Sequence, residues 1–423
     1  MARCQSGSVA IIFALSLIPI TLATGAAVDY SYANKAKTQF TAAADAAALA
    51  AVNKSAMAGT ASAAQTTALN MFNAYATTIK GATLSKVTAT VTDSSTGRTA
   101  VVTYTANVPT KFMGIMGIPS ILVGATSTAA SALPTYIDFY LLLDNTPSMG
   151  VGATTADINT MVAKTPDQCA FACHDLSASP NDYYSLAKKL GVQMRIDVVR
   201  QATQKLMDTA STTQVISGQF RMAIYTFGTS AATPGLTTIQ TLTSNLTLAK
   251  TAAGVIDLMT VPYQNYASDT DTDLPNILTA MNKAIPTPGN GTSSSPKKYL
   301  FFVSDGVSDR ALGSPACSQS TTNGTDPQTG KKYTRCQEPL NVSFCTTMKN
   351  RGVQIAVLYT TYLPLPTNAW YNSWIAPFQN QIATNMQNCA SPGLYFEVSP
   401  TQGISDAMTA LFQKAVQQAR LTK

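Results

Sequence analysis

The stretch Ile137-Asp138-Phe139-Tyr140-Leu141-Leu142-Leu143-Asp144-Asn145-Thr146-Pro147-Ser148 runs from an apolar segment into one carboxylate and two hydroxyls at alternate positions. An apolar run of this length bounded by turn formers reads as a buried strand. The strand delivers hard oxygen ligands into a loop. Small hard cations such as Mg²⁺ take oxygen from carboxylates, hydroxyls and water and keep positions for solvent or a partner, so the loop suggests a metal-bridged binding site. By spacing alone, a strand ending in an ordinary Asn-Thr-Pro-Ser turn is the better explanation.

Working outward, Pro134 marks a boundary after which strand-like and helix-like runs alternate. The strands read as Ile137 to Leu143, Met222 to Phe227, Tyr299 to Val303, Gln354 to Tyr359 and Leu394 to Val398. Helical patterns cover Arg195 to Ala210, Leu274 to Ala284, Val342 to Asn350 and Ile404 to Gln417. Such alternation implies a mostly parallel sheet covered on both faces, with ligands bound outside the carboxyl ends of its strands, where Asp144 sits. Two connections, 150–182 and 306–340, exceed the usual length and carry cysteines, as functional or disulfide-stapled insertions do. The second, with Asn323-Gly324 and Gln328-Thr329-Gly330, is rich in turn formers and is expected to be mobile.

Tyr299-Leu300-Phe301-Phe302-Val303-Ser304-Asp305-Gly306 is a second buried-looking strand ending in a carboxylate. In Thr272-Asp273-Leu274-Pro275 a threonine precedes a helix start marked by proline. Asp144, Thr146, Ser148, Thr272 and Asp305 thus form an ordered set of five oxygen ligands from three loops at one sheet edge. The register of Leu274 and Ile277 selects Thr272 over Thr270. Asp269, Asp271 and Asp273 stand nearby as outer or alternative ligands.

This set resembles a von Willebrand factor A (vWA) domain, whose metal-ion-dependent adhesion site (MIDAS) uses Asp-x-Ser-x-Ser, a later Thr and an Asp after another strand. The resemblance implies a doubly wound α/β (Rossmann-like) fold and a divalent cation, usually Mg²⁺, with a position open to a partner carboxylate. Two departures stand out. Thr146 replaces the usual serine, adding a methyl group and restricting χ1, and Pro147 stiffens the loop and removes an N–H.

Upstream, residues 9–28 are almost wholly uncharged and apolar, and as a helix they would just cross a bilayer. The small residues at 23–26 and Pro19 leave a cleaved signal peptide as the rival reading. An uncleaved anchor fits the short preceding segment and the long apolar run better. The Ala-rich run that follows, to about Lys80, has high helix propensity and no proline. It reads as a stalk-like continuation of the membrane helix, or as a helix packing on its own sheet. Val87 to Thr92 and Val101 to Val108 flank an Asp-Ser-Ser-Thr-Gly turn as a hairpin, and a further strand near Ala125 to Ala130 completes a small α+β module.

Gly7-Ser8-Val9-Ala10-Ile11-Ile12-Phe13-Ala14-Leu15, Gly25-Ala26-Ala27-Val28-Asp29-Tyr30 and Ala42-Ala43-Ala44-Asp45-Ala46-Ala47-Ala48-Leu49-Ala50 resemble the TadE/TadG-like segment of tight-adherence (Flp) pilus-assembly proteins. With the A-like domain behind it, the whole chain is similar to TadG-like proteins. The expected organisation is a cytoplasmic tip (1–8), a transmembrane helix (9–28), a stalk helix and small β module (29–133), and a vWA-like domain with cysteine-containing insertions (134–423). The resemblance implies a single-pass anchor in a bacterial inner membrane, a large periplasmic domain, and envelope or pilus-assembly partners.

Other classes fit less well. The net charge of +7 over 423 residues is spread in pairs such as Lys188-Lys189, Lys297-Lys298 and Lys331-Lys332, which read as solvated faces and give no support to nucleic-acid binding. Beyond Cys4, an even set of six cysteines (Cys169, Cys173, Cys317, Cys336, Cys345, Cys389) fits up to three disulfides in an oxidising space, with the pairing open. Cys169-Ala170-Phe171-Ala172-Cys173-His174 has one residue too many between its cysteines for covalent haem and lacks a fourth ligand for zinc. The single histidine and the absence of phosphate-loop, nucleophile-elbow and zinc-protease motifs argue against an enzyme. A metal-dependent hydrolase and a scaffold with a degenerate metal site are the alternatives to adhesion.

Overall fold

The computed structural model describes residues 7–94, 97–362, 364, 369–398 and 403–421. Two compact units divide between Pro134 and Thr135.

The first unit is a helical hairpin on a three-stranded sheet: α1 (Gly7–Ala51), α2 (Ala61–Ala76), β1 (Thr83–Asp93), β2 (Arg98–Pro109) and β3 (Ser120–Ser131). The strands are antiparallel with β2 in the centre. Among the described residues α1 is the one helix long and apolar enough to cross a membrane. It passes Pro19 without interruption. Its second half buries Ala33, Ala36, Phe40, Ala43, Ala44, Ala47 and Ala51, a stripe at helical spacing. Against that stripe Phe40, Phe72 and Tyr104 stack at 5.4–6.3 Å, and the Tyr104 hydroxyl donates to the Lys37 carbonyl at 2.9 Å.

The stalk expectation is corrected here. α1 ends at Ala51, and α2 folds back along it because the intervening turn is capped and pinned. Asn53 and Thr60 accept from the N–H groups of Ala56 and Ala63, a strong helix-start signal. The buried Arg98 guanidinium donates to the carbonyls of Ala56 and Gly59 at 2.6 and 2.9 Å while paired with Asp93. The alanine face therefore serves the unit's own sheet.

The principal elements of the second unit are β4 (Ile137–Leu143), α3 (Arg195–Thr213), β5 (Phe220–Thr226), β6 (Thr237–Thr243), α4 (Leu274–Ala284), β7 (Lys297–Ser304), α5 (Val342–Asn350), β8 (Gln354–Thr360), α6 (Gln379–Cys389), β9 (Tyr395–Val398) and α7 (Ile404–Leu421). The sheet order is β9-β8-β7-β4-β5-β6. All pairings are parallel except β5 with the edge strand β6. Residues of α3 and α7 pack with Phe139 and Leu141 on one face, and residues of α4, α5 and α6 with Tyr140 and Leu142 on the other. This is a doubly wound α/β sheet.

Several features depart from the sequence reading. β6 and α6 carry no strong apolar pattern and owe their state to the sheet they join. The second insertion is an antiparallel sheet, with Lys332–Pro339 between Val307–Ala311 and Thr321–Thr325, stapled by Cys317–Cys336; Thr321–Thr325 pairs with it as a local hairpin, whereas the pairing with Val307–Ala311 joins segments more than twenty residues apart. Lys298, expected on a solvated face, is 6% exposed and bonded to Asp138. The parallel register sets Asp138 beside both Arg221 and Lys298, and its carboxylate accepts from both.

Candidate metal centre

Because β4 and β7 are neighbours, their carboxyl ends release Asp144 and Asp305 side by side. The Asp144 N–H donates to the Val303 carbonyl at 2.9 Å. Both side chains are buried. Asp144 Oδ1 accepts from the Thr146 N–H (3.0 Å) and hydroxyl (2.7 Å), and Thr146 Oγ1 lies 3.3 Å from Ser148 Oγ. Ser148 and Asp305 line one cavity, and the Ser148 hydroxyl pulls the Asp305 carboxyl down against its burial. The structure therefore gathers four of the five candidate ligands at one place. The fifth, Thr272, lines the same cavity of about 270 Å³ as Ser148 and Asp305.

Thr272 is held in place through its backbone, which exchanges two 2.8 Å hydrogen bonds with Asp309, four residues beyond Asp305. The Ser308 hydroxyl donates to the Thr272 carbonyl at 3.0 Å. Thr270 is tied locally to the Ala267 carbonyl. Of the nearby carboxylates, Asp273 caps α4 and Asp269 pairs with Arg335 at 3.4 Å. Asp271 lines the cavity, and burial followed by the charges of Asp269 and Asp309 pushes its carboxyl up to about 7.

The two departures in the first loop are accommodated. The Thr146 hydroxyl points to Asp144, and its methyl group lies within a fully buried side chain. Pro147 opens a 3-10 turn, Pro147–Gly150, a position where a missing N–H costs nothing. Two residues the sequence reading missed fix the geometry. Ser304 donates to Asp144 Oδ2 at 2.7 Å and accepts from the Gly306 N–H, joining the first and third loops. The Asn145 amide donates to the carbonyls of Gly228 and Asp257 and accepts from the Phe227 N–H, which anchors the loop to the end of β5. Serine before Asp305 and asparagine after Asp144 are the signals a finer reading would have used.

The electrostatics are those of two carboxylates confined together. Burial first, then the Asp305 charge, raise Asp144 to about 7 against the pull of the Thr146 and Ser304 hydroxyls. Burial likewise raises Asp305, opposed by Ser148 and the Arg195 guanidinium. Asp305 Oδ2 is buried with no hydrogen-bond partner, an arrangement that carries a free-energy cost. Two carboxylates, one of them with an unpartnered oxygen, and three hydroxyls make a hard donor set that fits a small divalent cation.

The cysteine cluster does not compete for that role. Cys345–Cys389 and Cys317–Cys336 are bridged, while Cys169 and Cys173 are free thiols. This corrects the expectation of a third disulfide, since Cys169 is turned to the Phe171 carbonyl at 3.5 Å. His174 stacks on Tyr184 with ring centroids 4.0 Å apart. Among the described residues the one grouping of potential His, Cys and acidic ligands is Cys317, Cys336 and Glu338; its sulfurs are bonded to each other and its carboxylate to Arg310. Of the aromatics near 370, Tyr371 is buried in the core, whereas the Trp370 ring lies 4.3 Å from the Arg335 guanidinium at the cavity.

No curated protein matches the chain. Among solved structures it is similar to the vWF domain of the type V pili tip protein Mfa5 from Porphyromonas gingivalis, at 10% identity over 69% of this chain and 97% of that one, TM-score 0.39. It is similar to the pilus adhesin SpaC from Lactobacillus rhamnosus GG at 12% identity over 79% of this chain, TM-score 0.37. The chain spans only 34% of the SpaC length. Proximal thread matrix protein 1 from the mussel byssus, with a zinc-occupied MIDAS motif, matches at 11% identity over 68% of this chain and 46% of that one, TM-score 0.32. The family model for Flp pilus-assembly TadE/G-like proteins matches residues 7–68. Residues 7–68, which cover α1 and the first part of α2, thus match the TadE/G-like model of Flp pilus-assembly proteins, and a doubly wound α/β unit follows them in the chain.

Proposed function

We propose that this protein is a membrane-anchored component of Flp-type pilus assembly or surface adhesion that grips an envelope partner through a divalent cation, Mg²⁺ in the first instance. Asp144, Thr146, Ser148, Thr272 and Asp305 would hold the ion. Bound there, it supplies a Lewis-acidic position for a partner carboxylate. The observation that carries the reading is Asp305 Oδ2, buried and unpartnered beside a second buried carboxylate. Ser304, Asn145 and the Thr272–Asp309 backbone pairing keep the donors in place whether or not a partner is present.

The role proposed is binding rather than catalysis, since none of the groups in the cluster is a histidine base and each carboxylate serves as a ligand. The TadE/G-like segment supports a pilus-associated envelope setting, and the helix α1 supports membrane attachment. We place the second unit in the periplasm of a bacterial cell. The test is thermal melting of the purified protein with and without millimolar Mg²⁺. A ligand present at about a hundred times its Kd adds roughly 2.7 kcal/mol to the native state, so wild type should gain several degrees and Asp144→Ala none. Equal melting of both proteins under both conditions identifies a scaffold with a degenerate site and ends the metal-bridge reading. Crosslinked-envelope pull-downs with and without chelator then identify the partner.

A further inference from the structure

The loop between β2 and β3 in the first unit presents an apolar surface that packing leaves uncovered. Phe112, Ile115, Met116 and Ile118 are 43%, 78%, 45% and 42% exposed, and Leu122 at the start of β3 is 67% exposed. Contiguous exposed apolar side chains of this size mark an interaction surface. The loop is rigidly built: Met113–Met116 form a 3-10 turn closed by Gly117 at φ +83°, and Thr110 and Pro119 are bonded across its base.

Its position along α1 identifies the occupant. Gly25 and Asp29, one helical turn apart on the same face, are both buried beneath the loop. A Cβ at Gly25 would come within 2.6 Å of Phe112 Cβ, so only glycine admits the ring this close to the helix axis. The Asp29 carboxylate accepts from the N–H groups of Lys111, Phe112 and Met113 at 2.7–2.9 Å, fixing the loop at that level. Gly25 lies three residues inside the apolar run that ends at Val28, or about 4.5 Å at the helical rise.

The loop is also ordered in polarity along the helix. Phe112 sits at Gly25, toward the apolar run whose Val9, Ile12, Phe13 and Leu15 side chains are exposed. Lys111, the only charged residue between Arg98 and Asp138, turns the other way, its ammonium 5.5 Å from the Tyr32 ring centre. Apolar side chains inward with tyrosine and lysine outward match the gradient of a membrane interface. We infer that the 110–119 loop is an interfacial membrane anchor, seated on Gly25 and Asp29, whose Ile115 and Met116 enter the lipid where α1 leaves it.

The full-length protein, with Cys4, Cys169 and Cys173 changed to serine and Ile115→Cys spin-labelled, is reconstituted into phosphatidylethanolamine/phosphatidylglycerol vesicles. Collision with oxygen, which concentrates in lipid, is compared with that of a water-soluble nickel chelate. A label at Ile115 is expected to favour oxygen several-fold, as a label at Ile12→Cys does, whereas one at the exposed strand position Lys86→Cys favours nickel. Nickel-dominated collision at Ile115 overturns the proposal. Low access to both reagents means a second copy of the chain covers the patch and overturns it too. A nickel-accessible Ile12 label removes the bilayer anchor itself, and with it the loop's role. Adding Gly25→Leu, which unseats Phe112, should lower oxygen access at Ile115 while leaving Ile12 unchanged; unchanged access at both refutes the seating.

Discussion

Stripping the metal and raising the pH should destabilise this protein, and replacing a proposed metal ligand should stabilise the stripped form. Asp144 has an ordinary pKa of 3.8 and is raised to about 7 in the fold, by burial first and then by Asp305. A carboxyl raised in the native state makes that state bind more protons than the unfolded chain, so stability falls as pH rises between the two values. Nothing is lost below pH 4, and the full penalty is present above pH 7. A shift of about 3 units at roughly 1.4 kcal/mol each is on the order of 4 kcal/mol. Near 2–4 °C per kcal/mol for a unit of this size, that is a fall in melting temperature of roughly 8–16 °C. Asp271, raised in the same direction, adds to the slope in wild type, so the informative quantity is the difference between wild type and Asp144→Asn. In chelator, Asn should melt alongside wild type at pH 4 and well above it at pH 8. Excess Mg²⁺ should remove the pH 8 deficit of wild type and leave Asn unchanged. If the two stripped proteins keep the same separation from pH 4 to pH 8, the carboxylates are not confined as described and the site has no charge for a cation to neutralise.

Lys298→Met leaves buried Asp138 with Arg221 alone and should cost about 3 kcal/mol in urea denaturation, the usual loss when one partner of a buried ion pair is removed. Cys345→Ser with Cys389→Ser opens a loop of 44 residues and should cost about 4 kcal/mol on the chain-entropy estimate; an unchanged melting temperature in reductant would refute the bridge. Arg98→Met strands the carbonyls of Ala56 and Gly59, so limited proteolysis should open the 52–60 turn first, while cleavage in the second unit stays at the wild-type rate.

The sequence by itself determined the elements whose signal is local. The apolar run 137–143 is β4 to the residue, and the periods at 274–284 and 342–350 are α4 and α5. The strand–helix alternation set the doubly wound class, and the ordered appearance of Asp144, Thr272 and Asp305 set where a cation site would lie. Tertiary structure decided what depends on partners distant in the chain. The alanine-rich helix folds back because Arg98, some forty residues on, holds the turn at its end. The 306–340 insertion is a sheet because its middle strand finds two neighbours. Lys298 is buried because the parallel register brings it to Asp138. Ser304 and Asn145, which orient the site, act through hydrogen bonds between loops that no spacing along one strand encodes. The 110–119 loop lies against Gly25 and Asp29 through contacts more than eighty residues apart, and only the fold reveals that its apolar side chains remain uncovered. Local propensity and period are written in neighbouring residues, whereas register, burial and the meeting of loops are properties of the packed chain.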